Sequence, residues 1–115
     1  MPDRSPPASH ILSFAQTLKG GGVERALMRM AAGWEQAGRR VTLVIGNASG
    51  ALAHELPPNV VLHELGDARY RAMFGLADIV REVRPDVIFC PGNHYTAAAF
   101  WLHRRLGKSC PPMAA

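Results

Sequence analysis

The sequence predicts an α/β domain, a parallel β-sheet flanked by helices. Three observations carry the prediction. Short apolar runs recur along the chain: "HILSFA", "VTLVI", "VVLHEL" and "DVIFC". Segments whose apolar residues fall at helical spacing lie between them and after the last. The run at 41–45 is β-branched and almost wholly apolar, as a strand covered on both faces must be. Strands alternating with amphipathic helices give a parallel sheet joined by right-handed crossovers.

Each element follows in order. Residues 10–15 form the first buried strand, and a loop with three glycines, Gly20 to Gly22, follows it. Val23, Ala26, Leu27, Met30, Ala31 and Trp34 then fall on one stripe of a helix, with Glu24, Arg25, Arg29, Glu35 and Gln36 largely off it. Gly38 ends that helix, as a residue just past a helix terminus often does. Arg39 and Arg40 stand where positive charge favours the helix C-terminus. Residues 41–45 are the second strand. Gly46, Asn47, Gly50 and Pro57-Pro58 punctuate the loop after it, with room for a helical turn at 51–56. Residues 60–65 are a third strand. Residues 69–84 read as a second helix with Met73, Leu76, Ala77, Val80 and Val83 inward, stopped by Pro85. Residues 86–90 are the fourth strand. A third helix is expected from about His94 to Leu106, closed by Gly107. The tail "KSCPPMAA" carries two prolines, which a central strand does not accommodate. Either the fold is complete at four strands or the chain is cut before its sheet is finished; the cut is the expectation, with 108–115 a truncated tail and 1–9 a disordered leader.

The bulk numbers narrow the function classes. The 115 residues suffice for one domain. No apolar run approaches the roughly 20 residues of a membrane span, and residues 1–9 lack the apolar core of a secretory signal. Net charge is +4, with the positive residues scattered and not interleaved with aromatics, so nucleic acid is not an expected partner. Solvated helix faces account for most of that charge, and an anionic ligand or membrane surface for the remainder. Cys90 and Cys110 make no disulfide framework, and the five histidines lie too far apart for a zinc site. The cytoplasm is the default compartment, with peripheral contact at the inner face of the membrane as an addition to it. No cofactor and no metal is implied.

The glycine loop is the sharpest chemical signal. It follows the first strand and opens a helix, where N–H groups without partners and a partial positive charge favour anions. Glycines let a phosphate come close to the main chain. The dinucleotide pattern G-x-G-x-x-G fails, because Arg25 stands at its third glycine and the second strand ends in Gly46-Asn47 with no acid for a ribose. The G-K-[ST] of a P-loop and the G-x-S-x-G of a nucleophile elbow are also absent. A tight turn with no ligand stands as the alternative for the loop, and a stand-alone α/β phosphate-binding or interaction domain without catalysis as the alternative for the chain.

"GGVERALMRMAAGWEQAGRRVTLV" resembles the opening of family 4 glycosyltransferases, retaining enzymes of the GT-B fold. The likeness continues through "VREVRPDVIFCPGNHYTAAAFWLHRRLG" and covers roughly residues 10–107. Arg39-Arg40 stand where the family often carries Gly-His. The resemblance implies a Rossmann-like N-terminal domain on the acceptor side, facing a second domain that holds a nucleotide-sugar donor. Its expected partners are that donor, a glycan or lipid acceptor, and the missing C-terminal donor domain. By the same likeness Gly20, Gly21 and Gly22 would contact the donor's phosphate, and Asn93 and His94 would line the acceptor pocket. Arg25 is a candidate anion contact, or bonds Glu24 or solvent. Asn93 could equally cap the third helix. His10 and His63 read as structural, and Trp34 and Trp101 as packing residues. No two of Glu24, Glu35, Glu55, Glu64 and Glu82 stand at the Glu-x7-Glu spacing of the family's donor domain, so the isolated chain is expected to be inactive, with no catalytic residue of its own.

Overall fold

The computed structural model describes residues 9–115; residues 1–8 of the leader lie outside them. Five parallel strands form one sheet: β1 (His10–Thr17), β2 (Arg40–Asn47), β3 (Val61–Glu64), β4 (Val87–Phe89) and β5 (Met113–Ala114). Their spatial order is β3-β2-β1-β4-β5. The chain runs outward from β1 through β2 to β3, returns to β4 on the other side of β1, and continues outward to β5. Right-handed crossovers in opposite directions place their helices on opposite faces. So α1 (Gly22–Gln36) covers one face, and α2 (Leu76–Val83) with α3 (Thr96–Leu106) covers the other. This is the Rossmann-like α/β architecture.

The core sits where the pattern put it. β2 is buried from Val41 to Gly46, consistent with cover on both faces. Leu12, Phe14, Leu27, Leu43, Ile45, Leu76, Ile88 and Leu102 are wholly or almost wholly withdrawn from solvent. Gly38 adopts φ 83° just beyond α1, the left-handed region that a glycine enters without steric cost. Arg84 takes a left-handed φ of 53° between α2 and Pro85. The proline disfavours helical backbone in the residue before it, so the helix must leave here.

Three boundaries differ from expectation. The segment expected as one helix from 69 to 84 begins as a 3₁₀ turn, Tyr70–Gly75, and becomes α-helical only at Leu76. Gly75, a poor helix former, marks the change. The third helix opens likewise as a 3₁₀ turn, Asn93–Tyr95, before α3 begins. The tail does add a strand. Pro112 lies just before β5 and takes part in the ladder only as an acceptor: Ile88 N–H donates to its carbonyl at 2.9 Å. Cys90 N–H donates to Ala114 at 2.8 Å. A proline lacks only the donor, so an edge position that uses its carbonyl accepts it.

Candidate functional site

β1 and β4 are neighbours, yet the helices that follow them leave to opposite faces. The loops at their carboxyl ends therefore diverge and leave a crevice, the usual ligand position in an open α/β sheet. Gly20 to Gly22 form one lip and Gly92 to His94 the other. The lips approach closely: a Cβ on Gly92 would lie 3.9 Å from Val23 Cγ2. Beside them Val23, Ala26 and Met30 of α1 face Phe89 and Pro91 across a mostly apolar groove of about 370 Å³.

The glycine loop is held from below. Leu18 N–H donates to Ser49 O at 3.3 Å, and Leu52 N–H to Leu18 O at 3.0 Å. Gly50, at φ 127°, lies so close to Leu18 that a Cβ there would strike its carbonyl group.

The loop's own amides are not uniformly bare. Gly21 N–H donates to Glu24 Oε1 at 2.9 Å. Arg25 Nε donates to Gly20 O at 2.9 Å. These two groups belong to the same peptide unit, so Glu24 and Arg25 grip it from both ends. Glycine has no side chain to return the reciprocal half of a capping box, so Glu24 makes a one-sided cap. Arg25 therefore bonds neither Glu24 nor solvent alone; it folds back on the loop it follows. Among the described residues the N–H groups of Gly20, Gly22 and Val23 have no acceptor. Gly22 faces open space, with nothing within 4 Å of a built Cβ. The open amides thus centre on Gly22, and Glu24 occupies Gly21's.

The second lip carries an ordered network that the sequence does not announce. Gln16, near the end of β1, shares a face with Phe14 because strand side chains alternate. Its N–H donates to Tyr95 Oη at 2.8 Å, and its Nε2 donates to Ala68 O at 3.1 Å. Gln16 Oε1 lies 2.6 Å from His94 Nε2. Tyr95 is buried, and burial pushes its phenol above the usual range. It remains a neutral hydroxyl that can accept from Gln16. Tyr70 stacks on Tyr95 at 5.8 Å and 13°, and both rings meet His94 edge-on, at 5.2 and 4.8 Å. His94 is exposed, yet its ring is fixed on three sides. Asn93 is exposed and its side chain caps neither the 3₁₀ turn nor α3, whose Ala98 N–H donates instead to Tyr70 Oη at 3.2 Å, so the capping alternative is not realised. Next to this lip, hydrogen bonds from Arg69 hold the Asp67 carboxyl down to about 2.

The remaining singled-out residues fall outside the crevice. His10 is buried at the amino end of β1, bonded to Thr42 Oγ1 at 2.8 Å. His63 is half-buried in β3. Trp34 packs edge-on against Phe89, and Trp101 lies partly exposed against Phe74. Cys90 is buried, and burial raises its thiol, which suits packing better than reactivity. Sequence reasoning missed Gln16, Tyr70 and Tyr95 as site residues. Tyr95 falls inside the third helix expected from the sequence, and nothing local signals that its hydroxyl spans to β1.

Comparison with known proteins bears on the fold and the family. No curated protein matches the sequence significantly. Among solved structures, the chain is similar to the Bordetella bronchiseptica enzyme WbmH in complex with NAD+, at 12% identity and TM-score 0.56, over 88% of this chain and 36% of that one. It is also similar to a short chain dehydrogenase family protein from Francisella tularensis subsp. tularensis SCHU S4, at 11% identity and TM-score 0.52, over 89% and 46%. The chain thus spans less than half the length of either structure, and at these identities the likeness is one of fold. The family model of the glycosyl transferase 4-like domain matches residues 21–111, from the glycine loop to the approach of β5. The chain belongs to the glycosyl transferase 4-like domain family.

Proposed function

We propose that residues 10–107 are the acceptor-side, N-terminal part of a retaining glycosyltransferase of GT-B architecture, moving a hexosyl-type sugar from a nucleotide-sugar donor to a glycan, lipid or small-molecule acceptor. The observation that carries this reading is the placement of the glycine loop and of His94 on the two lips of one crevice at the carboxyl edge. In this reading the amides of Gly20 and Gly22 face the donor's diphosphate, with Gly21 joining them if Glu24 is displaced. Negative charge builds on that diphosphate as the glycosidic bond breaks, so fixed N–H donors lower the barrier more than they tighten the ground state. Arg25 acts through the loop, because its Nε is engaged with Gly20 O. Asn93 and His94 face the acceptor. The sugar and nucleotide are held by groups outside these 115 residues, brought by a C-terminal donor domain, and the isolated chain does not turn over. The test is calorimetric titration of UDP-, GDP- and ADP-sugars against the longest gene product containing this chain. Saturable binding of one nucleotide class, with sugar transfer to a hydroxylated acceptor, is expected. Absence of binding by all three, or turnover by the 115-residue chain alone, contradicts the proposal.

The compartment proposed is the cytoplasm, with peripheral contact at the inner membrane face. No helix among the described residues is long and apolar enough to cross a membrane. Phe100 and Trp101 on α3 are exposed, and Arg104 lies 6.0 Å from the Phe100 ring, a pairing suited to an anionic lipid surface. Vesicle flotation with anionic lipid should recover the protein at low salt and lose it at high salt. Equal recovery at both contradicts the charge argument.

A further inference from the structure

Gln16 has two hydrogen-bonding ends with opposite characters. Its NH₂ donates to the Ala68 carbonyl, which can only accept. That bond fixes the amide and turns the oxygen toward His94. An amide oxygen also only accepts, so at 2.6 Å the His94 Nε2 must carry the proton. In a neutral imidazole the other nitrogen then holds a lone pair. His94 Nδ1 has no partner among the described residues. The edge-on contacts from Tyr70 and Tyr95 hold the ring plane against turning over, which would put Cε1 in place of Nε2 and Cδ2 in place of Nδ1.

We infer that Gln16 is a positioning residue that locks His94 as the Nε2–H tautomer, leaving Nδ1 as a fixed hydrogen-bond acceptor for a hydroxyl group of the sugar acceptor. The inference rests on the acceptor-side reading above. It adds the polarity of the site: the partner of Nδ1 is a hydroxyl that donates, not a carbonyl or a phosphate oxygen, which would face a lone pair and be repelled. The lock has three restraints, from Ala68 through Gln16, from Tyr70 and from Tyr95. Ala68 belongs to the connection after β3, Gln16 to β1 and His94 to the connection after β4. Three separate elements therefore have to be in register for the imidazole to present this face.

The test is nitrogen-15 NMR of imidazole-labelled protein at about pH 8.5, above the ordinary imidazole range, with methyl α-glucoside as the probe. The wild type should show a single Nε2–H tautomer and a saturable shift of the Nδ1 resonance on adding the glycoside. Gln16→Ala should average the two tautomers and weaken glycoside binding about 10-fold, the loss of one well-placed hydrogen bond. His94→Asn keeps an acceptor atom near the Nδ1 position and His94→Gln keeps one near Nε2, so the first should retain more glycoside binding than the second. A wild-type Nδ1–H tautomer, or a tautomer unchanged in folded Gln16→Ala protein, overturns the lock. The expected tautomer with an Nδ1 that the glycoside never moves overturns the hydroxyl partner and the acceptor reading together, and so separates that failure from failure of the lock.

Discussion

Gly46 offers a test of how closely the crevice is built. It is the penultimate residue of β2, and a Cβ there would press on the Asp67 carbonyl oxygen and lie 2.7 Å from that of Gln16. Both obstacles are main chain, so neither can rotate aside. Restoring ordinary contact with Gln16 requires its separation to grow by roughly 0.7 Å, a displacement of a kind that overpacked cores resist at about 1–3 kcal/mol. Replacing glycine also stiffens the unfolded chain, which on its own would stabilise by about 0.4–1 kcal/mol. A net loss in Gly46→Ala is thus a lower bound on the clash. Two main-chain obstacles put the clash in the upper part of that range, about 2–3 kcal/mol, or about 1–2.6 kcal/mol net of the offset. For a domain of this size each kcal/mol lowers the melting temperature by about 4–6 °C, so a fall of about 5–15 °C is expected by circular dichroism. The same substitution shifts Gln16, and the His94 side-chain resonances should move with it. A melting temperature within about 1 °C of wild type would refute the packing argument.

Tyr95→Phe removes the acceptor from the Gln16 N–H and should cost about 1–3 kcal/mol in urea unfolding, because a partly buried main-chain donor is left unpaired. Glu24→Ala removes the cap on Gly21 and should lose about 0.5–1 kcal/mol while speeding amide exchange at Gly21; the vacated amide and the lost carboxylate should together tighten pyrophosphate binding, and weaker binding would show that Glu24 supports the anion site instead. His10 gives the pH dependence. Its pKa is lowered first by burial and then by the charge of Arg40, with Asp86 opposing. Below the ordinary imidazole value of about 6.5 the unfolded chain takes up a proton that the folded chain resists, so stability falls as pH drops from there toward the folded pKa and levels below it. His10→Gln should flatten this part of a melting-temperature profile, and a wild-type profile flat between about pH 7 and 5 would contradict the assignment.

Much of the fold was legible because its signals are local. The apolar run at 41–45 needs cover on both faces, Gly38 and Gly107 end helices, and Pro85 sets the entry to β4. β5 was not legible, since the rule against proline in a strand concerns the missing N–H and the sequence does not say that Pro112 is used through its carbonyl. The split at Gly75 was hidden because 3₁₀ and α turns share much of their apolar spacing. At the site, the position of the glycine loop follows from chain order alone. The grip of Glu24 and Arg25 on the Gly20–Gly21 peptide depends on side-chain direction, which spacing does not give. The Gln16–His94 pair lies 78 residues apart in sequence and becomes visible only once β1 and β4 are known to be neighbours.

The most direct measurement titrates inorganic pyrophosphate into amide-labelled protein, wild type and Gly22→Asp. Gly22 faces open space at the start of α1, so an aspartate there suits the helix dipole and should leave the melting temperature unchanged or slightly raised. The account predicts weak, saturable shifts centred on the Gly20, Gly22 and Val23 amides in the wild type, and their loss in the aspartate variant. Shifts that fall on the Arg104–Arg105 end of α3 instead, or that persist undiminished with Asp at position 22, would contradict it.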